Sequence, residues 1–236
     1  MRRRKAALLF FVLVHSFMSA QNMNDAGMWN TFSFFGDIKD LTPWKDPKVF
    51  KDWSIHIDPE MRFDENVSRL YGYFADLGTE KKWSKYFLTS LEYRLGAKRE
   101  ESWFNRRTRW SMGAQLSLPF KDFKLSSTTR YQVAKVLTTD LDLKSTWRQK
   151  FSLEYAGWKK IRIQISHEFF FLPITLENTN WRSQISLKYK LDKSNALSVG
   201  YLVQRDLTNA DMDFIILTGY KWEFNKKKEK STPAVQ

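Results

Sequence analysis

The chain contains no cysteine. That excludes a disulfide framework, thiolate metal sites and a cysteine nucleophile, and it removes the acceptor that a lipoprotein leader needs. Export to an oxidising compartment stays open, because a closed sheet needs no disulfide staples. Histidine is nearly as scarce: His15, His56 and His167 are the whole set. No Gly-rich phosphate loop, metal-ligand cluster or repeated nucleic-acid motif appears, so neither a cofactor nor a metal is expected. Nor does any apolar run approach the ~20 residues that a membrane-spanning helix requires. If the chain enters a bilayer, it must cross with strands closed into a barrel.

At 236 residues the chain fits one domain or one barrel. It is polar on average, with a mean hydropathy of −0.52. Yet 16% of it is aromatic, with 10 Trp, 9 Tyr and 19 Phe. That mixture suits a polar interior, an apolar exterior and aromatic girdles at two water–lipid boundaries. The formal charge of +13 is less telling than it looks. Arg2, Arg3, Arg4 and Lys5 open the chain, and Lys226, Lys227, Lys228, Glu229 and Lys230 lie in a basic tail spanning 225–236. The remaining Lys and Arg are spread over every segment rather than gathered on one face, so nucleic acid is not an expected partner.

Residues 1–20 have the three parts of a secretory signal peptide. Arg2 to Lys5 form a basic start, Ala6 to Val14 an apolar run, and Ser19 and Ala20 the small residues before a cleavage point. Met18 is not ideal for that site, which moves the expected cut by a residue or two. The competing reading is an uncleaved anchor. A short N-terminal segment, 21–27, then leads into a barrel expected over 28–224.

Period-two alternation runs through almost all of the mature chain and marks strands with one apolar and one polar face. In residues 107–120, Thr108, Trp110, Met112, Ala114, Leu116, Leu118 and Phe120 share one face. Arg107, Arg109, Ser111, Gly113, Gln115 and Ser117 share the other. Residues 53–63 do the same, with Trp53, Ile55, Ile57, Met61 and Phe63 opposite Ser54, His56, Asp58, Glu60 and Arg62. The pattern recurs over 87–95, 123–133, 147–155, 161–169, 181–191, 197–204 and 213–224, and more weakly near Met28–Phe35 and Leu70–Leu77. The tally is about eleven. Single-chain bacterial barrels carry even strand numbers, so 10–12 strands are expected, with one missed or over-counted within 28–80. Asp37–Asp52, holding Pro43 and Pro47, reads as an irregular connection. Short links at 119–122, 157–159 and 192–195 alternate with longer ones at 98–105, 135–143, 172–179 and 206–211. In outer-membrane barrels the short turns are periplasmic, which would leave the C-terminus in the periplasm.

Length separates a lipid-facing barrel from a soluble one. Trp110 and Phe120 lie ten residues apart on one face, about 34 Å along a strand. Tilted by ~40°, that spans ~26 Å of membrane normal against an apolar band of ~25 Å. Trp181 and Tyr189 give ~21 Å by the same arithmetic. A soluble lipocalin-type barrel shows the same alternation but turns its apolar face inward and needs fewer aromatics there.

Several stretches together are similar to a known family. They are Phe123-Lys-Leu-Ser-Ser-Thr-Thr-Arg-Tyr131, Trp147-Arg-Gln-Lys-Phe-Ser-Leu-Glu-Tyr155, the strand ending His167-Glu168-Phe169, the run Leu187 to Tyr201, and Gly219-Tyr-Lys-Trp-Glu-Phe224. From about Trp29 to Phe224 the layout resembles the domain of unknown function 2490 family of outer-membrane β-barrels, known mostly from Bacteroidetes-type bacteria. The resemblance implies fold and location but no catalytic residues. One departure is the polar tail after Phe224, where such barrels usually end on an aromatic residue.

The polar face carries the candidate site. Arg94, Arg107, Arg109, Arg130, Arg148, Arg162 and Arg182 face inward with Glu60, Glu92, Glu154 and Glu168. They form an expected lumen ladder in which each desolvated charge needs a partner. Because arginines outnumber carboxylates, a basic, anion-selective constriction is the sharper alternative. His56 shares that face with Ser54 and Asp58, but residues two apart sit ~7 Å from each other, too far for a relay along one strand. No catalytic residue is therefore assigned. Expected partners are outer-membrane lipid, the barrel-assembly machinery and small solutes. The expected role is that of a non-enzymatic outer-membrane barrel of a Gram-negative bacterium, acting as a passive pore. The alternatives are a plugged structural or interaction barrel and an envelope lipid-modifying enzyme.

Overall fold

The computed structural model describes residues 26–41, 50–100, 103–137, 143–208 and 211–224. The expected leader 1–20, positions 21–25 and the tail 225–236 lie outside them. Eleven strands follow in order: β1 (Ala26–Asp37), β2 (Trp53–Asp64), β3 (Arg69–Lys82), β4 (Phe87–Glu100), β5 (Trp103–Phe120) and β6 (Phe123–Val136). Then come β7 (Leu143–Tyr155), β8 (Ile161–Phe171), β9 (Asn178–Lys190), β10 (Asn195–Asp206) and β11 (Met212–Phe224). One turn of helix, α1 (Ile38–Leu41), follows β1. Each strand pairs with the next, and β1 pairs with β11, so the sheet is a closed barrel.

An odd ring cannot be antiparallel throughout. β1 and β11 run the same way, in register from Ala26 opposite Phe214 to Gly36 opposite Phe224. All other neighbours are antiparallel. The tally of eleven alternating segments matches the strand count, and the even-number rule is what fails. The weak segments at Met28–Phe35 and Leu70–Leu77 are the full strands β1 and β3. Their alternation is blurred because Trp29, which lines the lumen beside Arg62, and Phe74, which lies under Arg62 and Arg94, are inward aromatics.

The parallel seam puts Ala26 on one rim and Phe224 on the other. β2 and β3, β4 and β5, β6 and β7, β8 and β9, and β10 and β11 have their connected ends at the Ala26 rim; β1 and β2, β3 and β4, β5 and β6, β7 and β8, and β9 and β10 have theirs at the Phe224 rim. The long loop expected at 98–105 is mostly strand, since β4 runs to Glu100 and β5 starts at Trp103. There the ring of Phe104 meets Tyr73 at 5.5 Å, which favours extending the sheet over opening a loop. The longest interval between strands, from Asp37 to Trp53, joins ends at the rim of the short turns, so the rims differ less than the spacing suggested. The short turns have local causes. Lys121 adopts a left-handed φ of 52° in the two-residue link between β5 and β6. The Asp192 side chain accepts the backbone N–H of Ser194 at 2.7 Å and of Asn195 at 2.8 Å, an Asx-type turn. The Asn195 amide, followed by the Ser194 N–H, holds that carboxyl below its ordinary range.

The barrel is apolar outside and polar inside. Among the described residues the buried hydrophobics are Ala97, Phe170, Ala196, Leu202 and Ile215 alone. Along β5, by contrast, Trp110, Met112, Leu116, Leu118 and Phe120 are 55, 60, 57, 59 and 51% exposed. In water, each large apolar side chain left outside forgoes roughly 1.5–3 kcal/mol of burial; in hydrocarbon it forgoes little. Outward-facing aromatics form two rows of ring contacts. Toward the Ala26 rim Tyr93 packs on Trp110 at 4.4 Å, Tyr131 on Trp147 at 6.4 Å and Tyr201 on Phe214 at 6.3 Å. Toward the Phe224 rim Phe120 stacks on Phe123 at 5.6 Å, Phe123 meets Tyr155 at 5.0 Å, and Trp222 packs on Phe224 at 4.3 Å. Trp110 and Phe120, ten residues apart on one strand, thus belong to opposite rows. This is the build of a transmembrane β-barrel.

The seam is testable because the chain has no native thiols. Asn30 and Thr218 are register partners on the outer face and share a side-chain hydrogen bond. We predict that an Asn30→Cys, Thr218→Cys double variant forms an intramolecular disulfide on mild oxidation. An Asn30→Cys, Trp222→Cys pair, two strand-turns out of register, does not. Cross-linking of the second pair in place of the first would contradict the parallel closure.

Candidate functional site

Alternation turns one side chain in two into the lumen, and strand register sets which of them meet. Arg94 on β4 lies opposite Asp76 on β3, and its guanidinium donates to both carboxylate oxygens at 2.6 and 2.5 Å. Arg62 donates to Glu60 at 2.6 Å, and Arg94 approaches the same carboxylate at 3.6 Å. Arg130 on β6 reaches over β5 to grip Glu92 on β4 through two bonds of 2.9 and 2.7 Å. Gly113 lies under this span: a Cβ there would stand only 2.8 Å from the Ser90 hydroxyl, though in ordinary contact with the Arg130 Nε at 3.7 Å.

Glu168 is the most deeply set acceptor, its side chain only 8% exposed. It accepts from the Arg148 Nε at 2.8 Å, while Arg182 comes to its other oxygen at 3.2 Å. Arg148 also donates to Gln132 at 3.1 Å. Arg162 pairs with Glu154 at 3.2 Å nearer the Phe224 rim, and Arg107 with Glu100 near the Ala26 rim. Arg109 comes no nearer than 3.8 Å to Asp76, which Arg94 already occupies. Its Nε is buried without a hydrogen-bond partner; that of Arg182 is the atom 3.2 Å from Glu168, outside hydrogen-bond geometry. Arg62 and Asp76 belong to this network but not to the sequence-predicted ladder. Extending the parity of β2 across to β3 would have found both.

Three inward aromatics hold the guanidinium planes. Arg62 lies 3.8 Å from the Trp29 ring centre and 4.7 Å from that of Phe74, and Arg94 lies 5.0 Å from Phe74. Arg148 and Arg182 sit 4.8 and 4.4 Å from Phe170. Around them the lumen is unfilled. A cavity of about 980 Å³ opens toward the Ala26 rim, lined by Arg62, Arg94, Arg107, Arg109, Arg130, Arg148 and Arg182. A second, of about 400 Å³, lies toward the Phe224 rim beside Glu154, Arg162, Lys188 and Lys221. Trp29, Glu60 and Arg182 line both cavities and so mark the neck between them.

His56 is buried against Gly78, where a Cβ would fall 2.3 Å from the imidazole, and its Nε2 stands 3.7 Å from Asp58. Outside, His167 Nδ1 lies 2.7 Å from the Ser183 hydroxyl, between the rings of Phe169 and Trp181. That pair resembles a nucleophile and its base, but no carboxylate stands on the same face of β7, β8 or β9 to orient the imidazole. The strand ladder also takes up the backbone N–H groups that would stabilise an oxyanion. Thr129, Gln149 and Ser127 form a similar set, with Gln149 accepting from Thr129 at 2.5 Å and donating to Ser127 at 2.9 Å. Both groups satisfy their own polar atoms against an apolar surround. Among the described residues no cluster of His, Asp or Glu is arranged to hold a metal ion.

The sequence profile of the family described as protein of unknown function (DUF2490) matches residues 26–214, and the chain belongs to that family. No curated protein matches it in sequence. Among solved structures the chain is similar to a KdgM porin, with 13% identity and a TM-score of 0.45 over 72% of this chain and 85% of that one. The beta domain of the Bordetella autotransporter BrkA gives 9% identity and 0.45 over 73% and 83%. An anion-selective porin from Comamonas acidovorans gives 9% identity and 0.34 over 71% and 55%.

Removing one member of a buried ion pair strands the other. Glu168→Gln leaves Arg148 and Arg182 without their carboxylate, and we predict a loss of about 3 kcal/mol in folding stability. Glu154→Gln, whose partner Arg162 is 38% exposed, costs under about 1 kcal/mol. Urea midpoints of the two variants refolded into lipid vesicles check the contrast; equal midpoints would contradict it.

Proposed function

We propose that this DUF2490-family barrel is an outer-membrane pore that passes small solutes down their gradients, favouring anions. The observation that carries the reading is how the lumen charges pair. The ion pairs described above lie within one strand or link strands that are adjacent or one strand apart, so the charged side chains lie along the wall rather than across the bore. Two cavities remain, meeting at Trp29, Glu60 and Arg182. A lumen lined by surplus guanidinium charge lowers the barrier for anions more than for cations. The outer-membrane setting is supported by the apolar band between two aromatic rows and by the signal-like residues 1–20. Lipid of that membrane and the machinery that assembles barrels in it would be the chain's partners. The narrow neck favours a second reading, a plugged barrel that engages surface partners through its loops.

Planar-bilayer recording separates the two. The pore reading predicts discrete conductance steps and, in a salt gradient, a reversal potential on the anion side. Trp29→Ala widens the neck and raises the step size. Electrical silence from protein whose gel mobility shifts on boiling, as a folded barrel's does, would overturn the pore and leave the plugged barrel.

A further inference from the structure

We propose that the larger lumen cavity is a binding site for small dianionic oxyanions, with Arg109 and Arg182 as its recognition pair. The inference rests on the pore reading for how such a solute arrives, but the site itself follows from charge accounting.

Four carboxylates, Glu60, Asp76, Glu92 and Glu168, serve six arginines at mid-lumen; Asp58, which faces His56 at 3.7 Å, and Lys150, opposite Glu168, add one charge of each sign and leave the difference unchanged. Each carboxylate has one arginine bonded at 2.9 Å or closer: Arg62 on Glu60, Arg94 on Asp76, Arg130 on Glu92 and Arg148 on Glu168. Arg109 and Arg182 come second to carboxylates already engaged, at 3.8 and 3.2 Å. Two positive charges are therefore left over on the wall of one cavity. Asp64, which Arg69 holds, and the exposed Asp211 and Asp213 line the same cavity nearer the Ala26 rim.

Surplus buried charge is costly and persists only where something else holds it. For Arg182 an aromatic ring does so. Phe170 lies against Arg182 and Arg148, and Phe74 and Trp29 lie against the arginines that fill the neighbouring carboxylates. A ring face attracts a guanidinium without neutralising it. This explains why aromatic residues stand at inward positions of β1, β3 and β8, where the alternation calls for polar ones. Side chains that merely balance the lumen would be carboxylates at those positions. What the arrangement leaves is two guanidinium groups on the wall of one cavity of about 980 Å³: Arg109, no nearer than 3.8 Å to a carboxylate, and Arg182, whose Nε stands 3.2 Å from Glu168 outside hydrogen-bond geometry.

Two forked donors with a combined charge of two match a solute bearing two negative charges on planar or tetrahedral oxygens. Phosphate, its monoesters and short dicarboxylates share that chemistry. Chloride does not, since it has neither the oxygens nor the second charge.

The test is calorimetric titration of the folded mature chain in detergent with inorganic phosphate, succinate or chloride at matched ionic strength. We expect saturable binding of phosphate, succinate or both, and none of chloride; phosphate against succinate tells which oxyanion geometry the site prefers. Arg109→Gln and Arg182→Gln each weaken binding by about tenfold or more. Arg162→Gln, at the other end of the lumen, binds like wild type. Arg109→Lys and Arg182→Lys keep the charge and lose the fork, and fall between. Boiling-sensitive gel mobility confirms that each variant is folded. No saturable binding to wild type, or equal weakening by all three glutamine variants, would overturn the site. Phosphate binding by a protein that never conducts would sink the pore and leave the site standing; conduction without oxyanion binding would do the reverse.

Discussion

Everything in this molecule depends on closing the backbone hydrogen-bond ladder where the surroundings offer no replacement partner. In hydrocarbon an unpaired N–H or C=O costs several kcal/mol, so a sheet with two free edges is not an option. With eleven strands the ring can close only if its ends run parallel, and β1 lies along β11 in unbroken register over eleven residue pairs, from Ala26 to Gly36. Parallel ladders are slightly weaker per residue than antiparallel ones. Side chains reinforce this seam: Thr218 bonds Asn30 on the outer face, and the ring of Phe34 meets Trp222 edge-on at 6.1 Å.

Closure also decides what each side chain faces, and the two faces obey opposite rules. Outside, polar atoms must satisfy one another. Asn30 with Thr218, Gln149 with Ser127 and Thr129, and His167 with Ser183 all do so within the apolar wall. Inside, charge is tolerated because water and carboxylates are at hand, and the network of Arg62, Arg94, Arg130 and Arg148 takes up Glu60, Asp76, Glu92 and Glu168. The same inward surface accommodates Trp29, Phe74 and Phe170, whose ring faces steady guanidinium groups without cancelling their charge. A stable wall and a positively charged bore thus arise from one set of contacts.

How much of this was legible beforehand depended on how clean each strand's two faces are. β5 could be read residue by residue, because Trp110 to Phe120 and Arg109 to Ser117 separate without exception. β1 and β3 could be seen only faintly, because their lumen faces carry Trp29 and Phe74. The ladder was legible as a set of inward charges, but its partners were not. Asp76 lies on the strand with the blurred pattern, and the bond from Arg130 to Glu92 skips a strand, which no local pattern announces. The parallel seam was not legible at all. Which strand closes a ring is settled by the count of the whole ring, and an expectation borrowed from even-numbered barrels pointed the wrong way. The extent of β4 and β5 was also missed, since charged residues such as Lys98 and Arg99 look like loop but continue the ladder to Glu100.

The central claim is that the oily wall meets lipid chains. It is tested most directly by refolding the mature chain into vesicles whose acyl chains carry bromine and recording tryptophan emission. The account predicts strong quenching from wall residues such as Trp110, with Trp110→Phe reducing the quenched fraction and Trp29→Phe leaving it unchanged. Emission untouched by the brominated chains, from a protein that stays monodisperse in buffer without detergent, would contradict it.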